Sequence, residues 1–319
     1  MNDVASQGRI IALGSINVDF EVRAERWPAP GTTLLGRDFL MAGGGKGGNV
    51  AYLARRLGVG TRLIGHVGDD VLCEQALRSL RDAGVDLHST KVVAGCPTGV
   101  AMIVVRPDGE KAIVAAGNAN DTWTVADAHD AAVTVAADPP GSVLVADLEV
   151  PAFVTQQVVD AARRRNLRTV LNPSRPERMP DSLYPLIDYM TPNPFEARQL
   201  TGIAVESVDA AFRAGQVLVD RGVSTALVKL ARGGCVVVTK DRRDFIPTVP
   251  VRAIDTTGAG DAFAGAMSVA LLEGRPVLEA ARFAVAAATL SVQKYGAQSS
   301  YPIRSELEHA LARQRRART

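Results

Sequence analysis

The stretch Asp255-Thr-Thr-Gly-Ala-Gly-Asp261-Ala-Phe-Ala-Gly-Ala266 joins a glycine turn to two carboxylates. Phe263, Ala266, Met267, Ala270 and Leu271 recur at helical spacing over 262–272, so Gly258, Ala259 and Gly260 fall at a helix N-terminus. Such a terminus offers unpartnered N–H groups and the positive end of the helix dipole, and small residues let an anion approach closely. Phosphate is the fitting guest. A carboxylate beside an incoming polyphosphate repels it unless it has a chemical task, which makes Asp261 a candidate base for an attacking hydroxyl. Residue types alone also allow a plain helix cap made by Thr256, Thr257 and Asp261. The pattern is not a Walker A loop, because no Lys-Ser/Thr follows the glycines. Its spacing and late position do not match a dinucleotide fingerprint either.

A second glycine turn, Ala42-Gly-Gly44-Gly45-Lys46-Gly-Gly-Asn49, opens a helix with Ala51, Ala54 and Leu57 on one face. Its glycines let backbone approach a ligand, and Lys46 and Asn49 supply donors. Other polar residues are expected where strands end. Asn17 and Asp19 follow a buried strand over 9–16, and Glu149 follows a strand over 142–146. In open α/β sheets ligands lie at carboxyl ends, so these residues could meet a polyol; the alternative is that Asn17 and Asp19 are turn formers. Asn172-Pro173 and Thr191-Pro-Asn193-Pro-Phe-Glu196 end two further strands. Asn193 and Glu196 are candidates for nucleotide phosphates or Mg²⁺, with a helix start capped by Asn193 as the alternative.

These residues need a scaffold. Helices are expected over 71–83, 151–165, 207–221, 262–272 and 277–292, and strands over 62–67, 169–171, 226–230, 235–239 and 243–247. Asp69-Asp70 reads as an acidic helix start rather than a metal pair. The alternation after Ser142 implies a parallel sheet covered by helices. Strands over 100–105 and 111–115 flank the turn Arg106-Pro-Asp-Gly-Glu110 and are expected to pair with a loose β excursion over 20–40. Together, about 18–42 and 97–116 would form a lid that keeps water from the transferred group. One domain, 1–319, is expected.

The 319 residues are 47% hydrophobic with a formal net charge of +2, which suits a large α/β core and gives no argument for nucleic acid. The basic run Arg313 to Arg318 reads as a solvated or disordered tail, with RNA binding as the lesser alternative. Cys73, Cys96 and Cys235 are too scattered for a disulfide framework or zinc knuckle. Asp3 and Gln7 precede an apolar run, Ile10 to Leu13, of strand rather than signal-peptide length, and no stretch reads as a membrane span. A soluble, cytoplasmic protein is expected.

Taken in order, Gly14-Ser-Ile-Asn17-Val-Asp19, Gly44-Gly-Lys-Gly-Gly-Asn49, Leu148-Glu149, Thr191-Pro-Asn-Pro-Phe-Glu196 and Asp255-Thr-Thr-Gly-Ala-Gly-Asp261 resemble the ribokinase-like (PfkB) family of sugar and nucleoside kinases, nearest its ribokinase branch. The resemblance spans nearly the whole chain. It implies a three-layer α/β sandwich with a mostly parallel central sheet and a small β lid, often a dimer through the lids. By the same resemblance, Asn17, Asp19, Gly44, Gly45, Lys46, Asn49 and Glu149 hold a sugar such as ribose, and Asp261 is the base. The N–H groups of Thr257, Gly258, Ala259 and Gly260 receive the phosphoryl group of MgATP. Asn193, Glu196, Lys229, Ala231, Gly234, Thr256, Gly258 and Gly260 lie at the nucleotide. A monovalent cation such as K⁺ is implied on the side chains of Asp255 and Ser300 and the carbonyls of Thr257, Ser291, Lys294 and Gly296.

Ala231 and Arg232 depart from the usual glycine after leucine, and Lys229 stands where threonine is frequent. Ribose is the expected acceptor; adenosine, pseudouridine, fructose and 2-keto-3-deoxygluconate kinases share the pattern. A catalytically silent sugar-sensing protein and a dehydrogenase are the readings from other classes.

Overall fold

Alternate residues of the first strand serve two different cores. Ile10 and Ala12 pack into one apolar cluster, Ile11 and Leu13 into another. A strand covered on both faces requires this two-residue period. The computed structural model describes residues 8–316. Its elements are β1 (Ile10–Leu13), β2 (Asn17–Arg23), β3 (Arg37–Gly44), α1 (Lys46–Arg56), β4 (Thr61–Gly68), α2 (Leu72–Asp82), β5 (Thr90–Val93), β6 (Gly99–Val105) and β7 (Lys111–Ala116). There follow α3 (Val125–Ala137), β8 (Val143–Asp147), α4 (Ala152–Arg164), β9 (Arg168–Asn172), β10 (Tyr189–Met190), α5 (Pro194–Thr201) and α6 (Val208–Asp220). The chain continues through β11 (Thr225–Lys229), β12 (Cys235–Thr239), β13 (Arg243–Ile246), α7 (Ala259–Leu272), α8 (Val277–Ser291) and α9 (Arg304–Arg316).

Nine strands form one sheet in the order β13-β12-β11-β10-β9-β8-β1-β4-β5. Neighbours from β11 to β5 run parallel, and β12 and β13 are antiparallel. Helices α1, α2, α7, α8 and α9 contribute to one core, and α3, α4, α5 and α6 to the other. This is the three-layer sandwich. A separate four-stranded sheet, β3-β2-β6-β7, is the lid, with β2 and β6 parallel at its centre.

Helix α7 is buried from Asp261 to Leu271, so it has no polar face. It runs beneath the sheet with its N-terminus at the carboxyl ends of the strands, where the site assembles. Several details differ from the sequence reading. The first strand stops at Leu13; Gly14 N–H makes one further bond, to Ile64 O, before the chain turns, and Asn17 and Asp19 lie in lid strand β2 rather than just past a strand of the main sheet. Helix α3 was not anticipated, although Thr124 and Asp127 close a capping box on it. Strand β5, short and largely exposed, gave no pattern either.

Asp70 accepts from Leu72 N–H at 3.2 Å but also from Thr98 N–H and hydroxyl, at 3.1 and 2.6 Å, so it fixes the turn before β6 as well as the helix start. The basic run does not begin a disordered tail. Arg313 to Arg316 continue α9, which Leu307 and Ala310 hold against the body of the protein. The rest of that run lies outside the described residues, as do Asp3 and Gln7. Among the described residues, no helix is long and apolar enough to cross a membrane.

Candidate active site

Gly258 caps α7 with φ 71°, a left-handed conformation in which a side chain is strained. A Cβ there would also lie 2.5 Å from the Tyr301 hydroxyl, which donates to Gly258 O at 3.0 Å. The turn uses two of its own N–H groups: Thr257 N–H donates to Asp255 Oδ1 at 2.8 Å and Ala259 N–H to Thr256 O at 3.3 Å. Among the described residues, the N–H groups of Gly258, Gly260 and Asp261 meet no protein acceptor. They are the donors left for an anion.

Asp261, one turn into α7, is 4% exposed yet wholly in polar company. Asn49 Nδ2 donates to its Oδ2 at 2.9 Å, Asn172 Nδ2 approaches Oδ1 at 3.4 Å, and Lys46 Nζ lies 3.7 Å from Oδ1. Asn49 and Lys46 come from the first turn of α1, Asn172 from the end of β9. Gln298 Nε2 in turn donates to Asn49 Oδ1 at 3.2 Å, which fixes the amide's orientation toward the carboxylate.

The proposed sugar residues form the other wall. Lys46 Nζ is 3.8 Å from Glu149 Oε1, and Ser15 Oγ donates to Glu149 Oε2 at 2.5 Å while accepting from Lys46 N–H at 2.9 Å. Asp147 sits behind them, taking the N–H groups of Glu149 at 2.8 Å and Ser15 at 3.2 Å. Asn17 Oδ1 accepts from Asn120 Nδ2 at 2.9 Å. Asp19 lies against Gly44, where any Cβ would come within 2.2 Å of its carboxylate oxygens.

Burial, and then the charges of Asp261 and Glu149, push the Asp19 carboxyl up to about 7. Lys46 shows the opposite balance. Burial disfavours its charge, but Asp261 and Glu149 outweigh that and hold the ammonium well above the ordinary lysine value.

On the nucleotide side, Lys229 ends β11 with Nζ 3.3 Å from where a Cβ on Gly260 would stand. Burial lowers its pKa, and Glu196 acts against that. Asn193 and Glu196 close a capping box on α5: Asn193 Oδ1 accepts from Glu196 N–H at 2.8 Å, and Glu196 Oε2 from Asn193 N–H at 2.7 Å. The helix-start alternative therefore describes what they do within the chain. Ala231 lies in the hairpin between β11 and β12, which Leu230 N–H closes onto Gly234 O at 3.1 Å.

Asp255 is fully buried, and its second oxygen takes Gly296 N–H at 2.8 Å. Of the other residues read as cation ligands, Ser291 and Ser300 are buried with hydroxyls donating to Ala288 O and Ala297 O, while the Lys294 side chain points out to Glu306. Thr256 faces the lid, donating from Oγ1 to Gly109 O at 2.9 Å.

The sequence reading missed Ser15, Asn120, Asp147, Gln298 and Lys111. Ser15 and Asp147 sit inside or beside the motifs that were read, whereas Lys111 looked like an ordinary strand residue.

A family model described as pfkB family carbohydrate kinase matches residues 7–304. The chain belongs to that family. This pfkB-family chain is 36% identical over 305 residues to a ribokinase of Haemophilus influenzae, covering 94% of this chain and 99% of that protein. It is 34% identical over 304 residues to a ribokinase of Staphylococcus aureus, covering 94% and 98%. Among solved structures, the ribokinase of Arabidopsis thaliana complexed with ribose and ATP superposes with a TM-score of 0.82 at 30% identity, covering 96% of this chain and 99% of that one. The pfkB-family protein is thus an ATP-dependent carbohydrate kinase, and the dehydrogenase reading ends here.

Proposed function

We propose that the kinase phosphorylates the primary hydroxyl of a furanose, ribose foremost, to give the 5-phosphate. One constellation carries the reading: Asp261, held by Asn49 and Lys46, stands beside the free N–H groups of Gly258 and Gly260. Asn17, Asp19, Lys46, Asn49 and Glu149 orient the sugar through its hydroxyls, and orientation accounts for much of such a reaction. Asp261 takes the proton of the attacking hydroxyl. The turn N–H groups and Lys229 receive charge on the transferred group.

Mg²⁺ would neutralise donor phosphate charge when bound. Among the described residues, no three His, Cys, Asp or Glu side chains converge on a metal, so phosphate and water oxygens would complete its shell, with Glu196 at hand through the carboxylate oxygen its cap leaves free. A monovalent cation such as K⁺ fits behind the turn. Asp255 is a buried carboxylate there, and Thr257 Oγ1 is buried without a partner. Asp255 and Ser300, with carbonyls of Thr257, Ser291, Lys294 and Gly296, would hold the ion and stiffen the turn.

The lid supports a homodimer. By register, Phe20, Met41, Met102 and Val114 share its outer face, opposite Asp19, with Met102 53% and Val114 75% exposed. A second copy of this face would cover that apolar row. The free thiols and the need for ATP favour the cytoplasm.

A substrate panel with coupled ADP detection tests the acceptor. Ribose should give the highest kcat/KM. Turnover confined to a nucleoside, fructose or 2-keto-3-deoxygluconate would move the assignment, and no sugar-dependent ADP release would end it.

A further inference from the structure

Strand β7 is inverted with respect to ordinary patterning. Its apolar residues, Ala112 to Ala116, are exposed, whereas its one charged residue, Lys111, on the same face as Ile113 and Ala115, is half-buried. Lys111 Nζ donates to Thr256 O at 2.9 Å. The same hairpin holds Thr256 twice more, because Gly109 O accepts from Thr256 N–H at 3.3 Å and from Thr256 Oγ1 at 2.9 Å. Thus every polar group of Thr256 is engaged by the tip of the β6–β7 hairpin, two residues before the cap of α7. The peptide planes that aim the N–H groups of Gly258 and Gly260 start from that anchored residue.

Drawing an ammonium partly out of water on a strand that could have left it solvated is costly unless its partners need it. Burial and Lys46 both lower the affinity of Lys111 for its proton, while Asp255, Asp261 and Asp19 support the charge. Those carboxylates are the residues around which the site is built. A lysine so placed senses both the sugar wall and the phosphoryl turn.

We propose that Lys111 is a positioning residue for phosphoryl transfer: by gripping the Thr256 carbonyl from the lid, it makes the glycine turn at the head of α7 competent only while the lid is closed. The inference rests on reading that turn as the phosphoryl cradle. It gives the lid a second task beside excluding water, since a sugar that holds the lid down also sets the donors for the transferred group. Sugar binding and the geometry of the anion site then form one cooperative unit.

The test uses full-length Lys111→Met and Lys111→Arg, with ribose and MgATP. Lys111→Met keeps the apolar stem but loses the donor; kcat is expected to fall roughly 10- to 100-fold, as for a misaligned reacting group, with sugar KM within about threefold. Lys111→Arg, which can still donate to a carbonyl, recovers most of kcat. Amide exchange across 257–261 should slow on ribose addition in the natural protein and not in Lys111→Met. A kcat within twofold of the natural protein, a defect confined to sugar KM, or the same ribose-induced slowing of exchange in Lys111→Met overturns the proposal. Asp261→Asn is run in parallel. If it loses turnover while Lys111→Met does not, this inference alone falls; if both keep full turnover, the reading of the turn falls with it.

Discussion

Asn49 Nδ2 donates to Asp261 Oδ2 at 2.9 Å, bringing together residues 212 positions apart in the chain. The contact joins the glycine turn before α1 to the one before α7. Asp261→Asn preserves shape but removes the base, so kcat should fall by about two to four orders of magnitude while ribose still binds. Coupled ADP release and sugar calorimetry check this together; near-normal turnover removes Asp261 from the role.

Ser15 joins two residues of the proposed sugar wall, donating to Glu149 and accepting from Lys46 N–H. Ser15→Ala leaves Glu149 a donor short and strands a backbone N–H, at a stability cost of roughly 1–3 kcal/mol. Sugar KM should rise several-fold with kcat much less affected, as expected of a group that orients bound substrate. Urea titration and steady-state kinetics measure the two effects, and unchanged KM would contradict it.

Asp19 titrates where assays are done. Burial, Asp261 and Glu149 raise its carboxyl to about 7, so in the free enzyme it is protonated below that pH and accepts sugar hydroxyls poorly. A plot of kcat/KM for ribose against pH should therefore fall on the acid side of about 7. In Asp19→Asn that limb should flatten at a lower plateau. An acid limb that persists unchanged assigns it elsewhere.

His66 is 2% exposed and stacks on Trp123 with ring centroids 3.9 Å apart. Burial lowers its pKa from 6.5 to about 4, so between those values the unfolded chain binds a proton that the folded one refuses. Stability contributed by neutral His66 is present above pH 6.5 and is lost as pH falls toward 4, by at most about 3 kcal/mol. Asp19 works in the opposite sense: its folded pKa is raised, so its contribution is lost as pH rises from about 4 to 7. The difference in melting temperature between the natural protein and His66→Phe, followed from pH 7 to pH 5, isolates the histidine. It should shift in favour of the variant as pH falls.

The lid face predicts assembly. Met102→Lys with Val114→Lys places like charges on the exposed apolar row and should shift sedimentation toward monomer without unfolding the kinase. A natural protein that is already monomeric at micromolar concentration would remove this expectation.

Glu149 was legible because chain direction places it just past the carboxyl end of β8; Asn17 and Asp19, read in the same way, lie within lid strand β2, and Lys229 entered only through the family resemblance. The two glycine turns were legible because each precedes a helical period. Residues that act through partners were not. Asn120 donates to Asn17 across 103 positions, and Asp147 accepts from Ser15 across 132, so neither bond leaves a local signal. Asn193 and Glu196 show the converse, since their spacing is equally that of a capping box, and the box is what the fold makes of them. Helix α9 escaped notice because its apolar side is only a few residues wide within a run of arginines.

Helix α7 carries Asp261 and is enclosed along nearly its whole length. Beyond its first turn, its amides should exchange with solvent only through global opening, which makes the body of this helix the slowest-labelled part of the molecule. The proposed base, Asp261, therefore sits on the least forgiving segment of the chain, whereas the walls proposed to choose the sugar come from the lid and from loops at its rim. A change of acceptor during evolution would be written in those peripheral segments, leaving the central helix as it stands.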